Sequence, residues 1–394
     1  MNYDLILLVV FYLFLLVIFK VYRKKFEVQW HIFALYKTQL GINFMDKLAK
    51  KYPRTLSFLG YWSIFLGFLG MVVTFVFIIY ATYQFLFVPS AEAALAPLLP
   101  GISVSDKLPV LSFWHWIIAI LFVATIHEFA HGVYARLKNI KIKSSGFAFF
   151  GPLLAAFVEP DEQQLKKKSL KTQLLVFSAG PFSNILLSIV AFLVLAFVFA
   201  PLTHTMIEVD GIVLAEINTS FPIKDSGLQS GFILEEIDSV KINDTFVLGK
   251  ILLMKHPGDV LEVKANGSRY NVTLGSHDTN KTRAVLGIAF SNYHTTLKKN
   301  LSNFSWLHST LLWINMLLFW IFNISLGVGL FNLLPLGPVD GGRMFYAVVL
   351  KVVKDEQKAM KILTFFSVLI LTMILINMWP FIFKLLKFIV SPFM

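Results

Sequence analysis

Six long apolar segments constrain this chain more than any other feature of its sequence. Two continuous stretches, 56–91 and 301–339, contain no Asp, Glu, Lys or Arg. A helix needs about 20 apolar residues to cross a bilayer, where its backbone must satisfy its own hydrogen bonds. The segments therefore predict a polytopic α-helical membrane protein with about six transmembrane helices. They lie at residues 5–22, 57–88, 110–136, 172–200, 305–336 and 362–383.

The composition agrees with a membrane protein and limits the kinds of molecule that the chain is expected to bind. Hydrophobic residues make up 57% of the chain and charged residues only 15%, against about a quarter charged in soluble domains. The net charge is +12, but the basic residues lie beside apolar segments, which favours contact with lipid headgroups of the bilayer and predicts no nucleic-acid partner. The chain has no cysteine, which excludes disulfides and thiolate metal ligands.

The charges of the short loops predict the orientation. Residues 20–54 hold nine Lys or Arg, residues 136–171 hold eight and residues 343–361 hold five, whereas residues 89–108 hold one. Basic loops stay in the cytoplasm, so we expect both termini outside in a multi-pass protein of the plasma membrane. Asp4 precedes the first apolar run and basic residues follow it, which is the reverse of a signal peptide and predicts a retained anchor.

The polar stretch 207–298 interrupts the apolar pattern. Short alternating runs with turn signals predict a small α+β domain of about 90 residues on the extracytoplasmic side. Five Asn-x-Ser/Thr sequons agree with that side, although their glycosylation stays open: Asn218, Asn243, Asn266, Asn271 and Asn280. The predicted division is into N-terminal transmembrane helices with a basic loop at 1–108, transmembrane helices that contain His127 and Asn184 at 109–206, this domain at 207–298, and further transmembrane helices with Asp340 and a C-terminal tail at 299–394.

Residues 144–160 are apolar but too short to span a membrane, and glycine and proline interrupt them. Two interpretations remain open for this segment. It is either an extended segment that dips into the membrane, where protein or water satisfies its backbone, or a loop at the membrane interface.

The segment His127-Glu128-Phe129-Ala130-His131 carries the sharpest chemical signal. Residues four apart share one face of a helix, so His127 and His131 can both bind one Zn²⁺ through ring nitrogens. Glu128 is then placed to take a proton from a water molecule that the metal activates. Ionisable groups in an apolar helix are costly unless they are paired or bind metal, which favours a metal site over a structural cluster.

Zinc in an enzyme takes a third protein ligand and keeps one position open. Asp340 is the best candidate because it ends the second charge-free stretch on the same side of the membrane as His127. That stretch is longer than one membrane crossing requires, and Pro335 and Pro338 interrupt its C-terminal end. Part of it is therefore not a membrane-spanning helix. Asp340 could instead cap the helix that starts near Arg343, but capping does not explain the broken apolar approach.

These motifs together resemble the site-2 protease family of intramembrane zinc metalloproteases. His127, Glu128 and His131 match the H-E-x-x-H motif of the family. The segment from Asn332 through Pro335 and Pro338 to Asp340-Gly341-Gly342 matches its second motif, with Val339 where Leu is usual. The stretch 221–234 is similar to part of a PDZ domain, as in PDZ-containing, archaeal members of the family, although no clear carboxylate-binding loop is visible.

The resemblance implies roles for further residues and partners. Gly180-Pro181-Phe182-Ser183-Asn184 matches a third family motif, and the resemblance implies that Gly180, Asn184 and Asn332 hold substrate or stabilise the transition state. It further implies Zn²⁺ as the cofactor, transmembrane proteins as substrates, a peptide ligand for the PDZ-like domain, and a role of that domain in excluding substrates with bulky ectodomains. Two alternatives stay open: a metal-ion transporter, since intramembrane His and Asp also line ion pathways, and an inactive peptide-binding scaffold.

Overall fold

The computed structural model describes residues 3–23, 26–29, 33–89, 91, 93–103, 108–150, 153–277 and 279–390. The chain divides into two compact units. The first comprises Met1–Leu195 with Met316–Met394, and the second comprises Ala196–Asn315. The sequence-based division at 108, 206 and 298 stays a prediction.

Six of the described helices are long and apolar enough to cross a membrane, which confirms the predicted number. They cover Tyr3–Val21, Pro53–Phe87, Phe113–Leu137, Leu170–Met206, Lys299–Asn332 and Glu356–Phe383. In chain order the helices are α1 (Tyr3–Val21), α2 (Ile42–Lys51), α3 (Pro53–Phe87), α4 (Phe113–Leu137), α5 (Glu162–Lys166), α6 (Leu170–Val194), α7 (Ala200–Met206), α8 (Thr245–Leu253), α9 (Ser305–Asn332), α10 (Asp340–Val353) and α11 (Glu356–Val390). A π-helical turn, Leu195–Phe199, joins α6 to α7.

Small residues bring α3 against α4 and α6. A Cβ atom added to Gly60 would lie 2.8 Å from Cε1 of Tyr134 on α4, so only glycine allows this approach. One turn further, Oγ of Ser63 lies 2.8 Å from Oγ of Ser178 on α6, and both side chains are buried. Close backbone approach and hydrogen bonds of this kind hold helices together in lipid, where the hydrophobic effect does not.

A four-stranded antiparallel sheet accompanies the helices of the first unit. Its strands are β1 (Glu27–Gln29), β2 (Phe33–Thr38), β3 (Ile142–Phe150) and β4 (Leu153–Pro160), in the order β1-β2-β3-β4. The segment 144–160, for which the sequence left two interpretations, thus forms most of a β-hairpin. Among the described residues β4 is an edge strand, and it packs beside α4. β1 and β2 were not predicted from the sequence.

The amphipathic helix α2 is fixed to α4 by packing and charge. Met45 is buried against Gly132, where an added Cβ would lie 3.1 Å from Cε of Met45. Both carboxylate oxygens of Asp46 accept hydrogen bonds from the Arg136 guanidinium, whose side chain is 29% exposed. Bidentate pairs of this type are the stronger and more specific form of ion pair.

The end of the second charge-free stretch leaves the helical path, as the sequence predicted. α9 ends at Asn332, and residues 333–339 form a turn with buried Leu333, Leu334 and Leu336 before α10 begins at Asp340. A Cβ added to Gly342 would lie 2.6 Å from the carbonyl carbon of Leu336. The glycine therefore lets the first turn of α10 lie directly against the preceding turn.

The second unit contains the predicted α+β domain. Its main sheet has the order β12-β5-β6-β8-β9, with β7 paired to β6, and β10 pairs with β11 apart from it. The strands are β5 (Ile207–Ile217), β6 (Ile233–Ile237), β7 (Val240–Lys241), β8 (Val260–Ala265), β9 (Ser268–Thr273), β10 (Gly275–Ser276), β11 (Ala284–Val285) and β12 (Ile288–Leu297). One core is shared by the sheet and α8, and it includes Leu214, Leu234, Leu248 and Leu261.

Candidate metal centre

Helix α4 presents His127 and His131 on one buried face, one turn apart. Their Nε2 atoms lie 3.2 Å from each other, and the residues are only 7% and 8% exposed. The arrangement follows from the four-residue spacing, because a helix turns through slightly more than a full circle over that interval.

Asp340 completes the cluster from a position 213 residues further along the chain than His127. Its Oδ2 lies 3.0 Å from Nε2 of His127 and 3.2 Å from Nε2 of His131. It does not cap α10, since Val339 is the N-cap residue and makes no side-chain capping bond. Burial opposes ionisation of Asp340, but the neighbouring histidines outweigh it and hold the pKa of the carboxyl well below its usual range.

The three side chains fit a metal ion. Each offers one ligand atom, and these atoms lie within 4.8 Å of one another. Two imidazoles and one carboxylate leave a fourth position open, which is the donor set that catalytic zinc takes. Nδ1 of His131 donates to the carbonyl oxygen of Val176 at 2.7 Å, so in the neutral ring the lone pair that can bind a metal is on Nε2.

Gly180 leaves the space that this cluster needs. A Cβ atom there would lie 2.5 Å from Nε2 and 2.8 Å from Cδ2 of His127, and it would also collide with Nε2 of His131. Gly180 thus faces the ring nitrogens of both histidines. The next residue of α6, Pro181, has no backbone N–H. The observed contribution of Gly180 is the absence of a side chain, and its predicted role toward substrate stays a prediction.

The predicted base, Glu128, contacts the sheet. Its Oε2 accepts a hydrogen bond of 3.1 Å from the backbone N–H of Val158 in β4. Because N–H groups alternate along a strand, the N–H of Ala156 faces the same open edge. The base and the edge strand are therefore neighbours.

The two predicted asparagines have different surroundings. Nδ2 of Asn184 lies 3.0 Å from Nδ1 of His127, within the cluster. Nδ2 of Asn332 donates to the carbonyl oxygen of Val328 in its own helix, at 3.0 Å. Their roles toward substrate stay predictions. Sequence reasoning missed the carbonyl of Val176 and the N–H of Val158, because main-chain groups leave no residue-type signal.

Comparison with known proteins identifies the family. The model of Peptidase family M50 matches residues 115–375, which include the three candidate ligands and Glu128. The chain belongs to this family. The match confirms the resemblance to site-2 proteases that the sequence motifs indicated, and it supports Zn²⁺ as the cofactor that the cluster can hold.

Individual relatives agree with the family. An uncharacterized protein of Methanocaldococcus jannaschii is 31% identical over 232 residues, which cover 59% of this chain and 56% of that protein. This chain thus aligns with little more than half of that relative. A protein of Clostridium perfringens named "Putative zinc metalloprotease" is 24% identical over 290 residues, covering 61% of this chain and 84% of that protein. These findings support a metalloprotease.

Two solved structures resemble a part of the chain. The PDZ domain of an SdrC-like protein from Listeria monocytogenes matches with 17% identity and a TM-score of 0.19, covering 21% of this chain and 87% of that domain. A PDZ domain of an SdrC-like protein from Listeria innocua matches with 21% identity and the same TM-score, covering 22% of this chain and 98% of that domain. Likeness at this level carries no argument about ligands.

Proposed function

We propose that this protein is an intramembrane zinc metalloprotease that hydrolyses peptide bonds within or next to transmembrane segments of membrane proteins, as in regulated intramembrane proteolysis. The observation that carries the proposal is the convergence of Asp340 with His127 and His131, which lie beside Glu128 on a helix apolar enough to cross a membrane. A soluble metalloprotease has no need of an apolar helix at this place. The substrate is therefore a membrane segment as well.

His127, His131 and Asp340 hold the metal, and Glu128 is the base. A zinc ion held there would supply a Lewis acid for the scissile carbonyl and would make water a stronger acid. Glu128 takes the proton of the attacking water and returns it to the leaving amine. The hydrogen bond from Val158 keeps the Glu128 carboxylate beside the strand along which we expect the substrate to lie.

The substrate needs an extended conformation, because the carbonyls of a helix are engaged in its own hydrogen bonds. We propose that β4 holds the unwound segment by pairing with it at the open edge. The N–H of Val158 faces this edge but donates to Glu128, so pairing would use the N–H of Ala156, which faces the same edge by alternation. The paired segment would then lie next to Glu128.

Proline at an edge-facing position tests this proposal. Ala156→Pro removes an N–H that faces the open edge, whereas Ala155→Pro removes one that faces β3, where Ala155 pairs with Ala148. We expect Ala156→Pro to reduce cleavage of a transmembrane peptide and to leave zinc content and thermal stability unchanged. Unchanged cleavage would contradict strand addition at β4, and Ala155→Pro should destabilise the hairpin as a control.

The basic loops support an orientation with the metal centre toward the cytoplasm and the PDZ-like domain outside, in the plasma membrane. The domain would bind peptides and restrict access to substrates without bulky ectodomains. Deleting about residues 210–295 should admit substrates with larger ectodomains to cleavage. An unaltered substrate range would remove this part of the proposal.

One comparison tests the proposed activity as a whole. The wild type and Glu128→Gln are purified in detergent, their zinc is counted, and cleavage of a transmembrane peptide is assayed. We expect one zinc in both proteins and cleavage by the wild type only, because Gln cannot accept the proton. Zinc without cleavage in the wild type would favour a transporter or an inactive scaffold.

A further inference from the structure

Asn184 lies between three helices of the first unit. The residue has no exposed surface. Its backbone carbonyl oxygen accepts a hydrogen bond of 2.8 Å from Oγ of Ser325, and a Cβ added to Gly329 would lie 3.2 Å from the Cβ of Asn184. α9 therefore holds Asn184 from behind, and its amide is directed at Nδ1 of His127.

The hydrogen-bond pattern around His127 describes a metal-free tautomer. The Asn184 amide nitrogen, which can only donate, lies 3.0 Å from Nδ1 of His127. With the amide in this orientation Nδ1 can only accept, and a neutral ring then carries its hydrogen on Nε2. That nitrogen lies 3.0 Å from Oδ2 of Asp340, to which it can donate.

Metal binding requires the other tautomer. A ring nitrogen binds a metal through its lone pair, so the hydrogen of His127 must move to Nδ1. Nδ1–H then needs an acceptor, because burial leaves it no water. In the present orientation Oδ1 of Asn184 is buried and has no hydrogen-bond partner among the described residues. Rotation of the amide by 180° exchanges its oxygen and nitrogen with almost no change of shape and brings that oxygen to Nδ1.

We propose that Asn184 is the positioning residue of His127: its Oδ1 accepts from Nδ1–H and fixes the ring in the tautomer and orientation that bind the metal. The inference rests on the proposed zinc protease function and deepens it. His131 has its corresponding partner in the Val176 carbonyl, also on α6. One helix thus orients both imidazoles of the site. The Asn184 amide can donate to Nδ1 of His127 or accept from it, so it can pair with either tautomer. The Val176 carbonyl can only accept from His131.

This role differs from the one that the family resemblance implies for Asn184. A group that binds the substrate or a developing oxyanion must present a free N–H to it. Asn184 is buried, and its amide faces the histidine. The two roles use different atoms of the amide, since His127 in its metal-binding tautomer needs the Oδ1 acceptor and an oxyanion needs an N–H donor.

Two substitutions of Asn184 and one control separate these roles. Asn184→Ala removes both the hydrogen-bond acceptor and the N–H donor of the amide. Asn184→Asp keeps an acceptor in a side chain of the same shape but has no N–H. The control is Asn377→Ala. Asn377 is equally buried and donates to Oγ1 of Thr82 at 2.8 Å, so its loss removes a buried amide that does not contact the histidines. The full-length proteins are compared by zinc affinity in chelator competition, by the absorption spectrum of bound Co²⁺, and by cleavage of a transmembrane peptide.

We expect Asn184→Ala to weaken zinc binding about 10- to 100-fold and to alter the Co²⁺ spectrum, as loss of a ligand-orienting partner does. Asn184→Asp should restore zinc affinity to within about threefold of wild type and, when loaded with zinc, cleave within about tenfold of it, because the acceptor at Nδ1 is retained. Asn377→Ala should bind zinc as the wild type does. Thermal unfolding of the metal-free proteins reports folding, and if Asn184→Ala does not fold, the Asp variant alone decides.

Wild-type zinc affinity in Asn184→Ala would overturn the inference, and so would equal losses in Asn184→Ala and Asn377→Ala. Normal zinc binding by Asn184→Asp with cleavage reduced about 10²- to 10³-fold would assign the residue to oxyanion stabilisation instead. A wild type that neither holds zinc nor cleaves would overturn the proposed function itself. That result is distinct from every outcome that concerns Asn184 alone.

Discussion

Gly180→Ala tests whether the space between α4 and α6 belongs to the metal. The added Cβ would lie 2.5 Å from Nε2 of His127, and ordinary contact between such atoms begins at 3.4 Å. The ring must therefore retreat by about 0.9 Å, and the ring of His131 must also move. Metal sites tolerate changes of about 0.2 Å in ligand distance. We expect zinc affinity to fall at least 100-fold, the upper end of the range for disturbed ligand orientation.

The assay measures zinc affinity by chelator competition, with thermal unfolding of the metal-free protein beside it. Overpacking costs about 1–3 kcal/mol, so the variant should fold but unfold at a lower temperature. Gly327→Ala is the matched control, because it makes the same chemical change in α9, where nothing lies within 4 Å of the added atom. The control should keep wild-type zinc affinity.

Wild-type zinc affinity in Gly180→Ala would refute the reasoning. It would mean that the metal does not use the Nε2 atoms that face Gly180, or that the histidines move freely. Equal loss in Gly180→Ala and Gly327→Ala would refute it as well, since the effect would then not depend on the position of the added atom.

Three further predictions concern stability. The wild type without zinc should have a free energy of unfolding about 2.7 kcal/mol lower than the wild type with zinc at 100 times its Kd. An unchanged Tm would argue against a metal site that exists only in the folded protein. Asp46→Ala should lower the free energy of unfolding by about 1–2 kcal/mol, because it leaves Arg136 without its bidentate partner. The zinc content should stay at one per chain. Loss of zinc would show that α2 also supports the metal site and does not only stabilise α4. Gly60→Ala should cost about 1–3 kcal/mol in thermal unfolding, because its Cβ meets Tyr134, and a cost no larger than that of Gly327→Ala would contradict the close packing of α3.

Features that depend on neighbouring residues could be predicted from the sequence. Each apolar segment is long enough to specify a spanning helix alone, and the spacing of His127 and His131 fixes their common face. Asp340 could be predicted because it ends a charge-free stretch that proline and glycine break. These signals lie within a few residues of one another, so no knowledge of the fold is needed to interpret them.

Features that depend on distant pairing could not be predicted. β2 has six residues, and β3, one of its two partner strands, lies more than 100 residues away, as the hydrogen bond from Thr38 to the carbonyl of Ser145 illustrates. A short alternating run specifies no partner by itself. The contacts of Glu128 with Val158 and of His131 with Val176 involve main-chain groups that every residue type carries. Only the folded chain shows which of these groups are near the site.

The long separation between His127 and Asp340 has a consequence for biosynthesis. The ribosome makes the third ligand 213 residues after the first, when the whole α+β unit has already been synthesised. At about 5–20 residues per second this interval lasts roughly 10–40 s. During that time the nascent chain carries both histidines and Glu128 but lacks the carboxylate that completes the donor set. The order of synthesis therefore keeps the proposed donor set incomplete until residue 340 has been made.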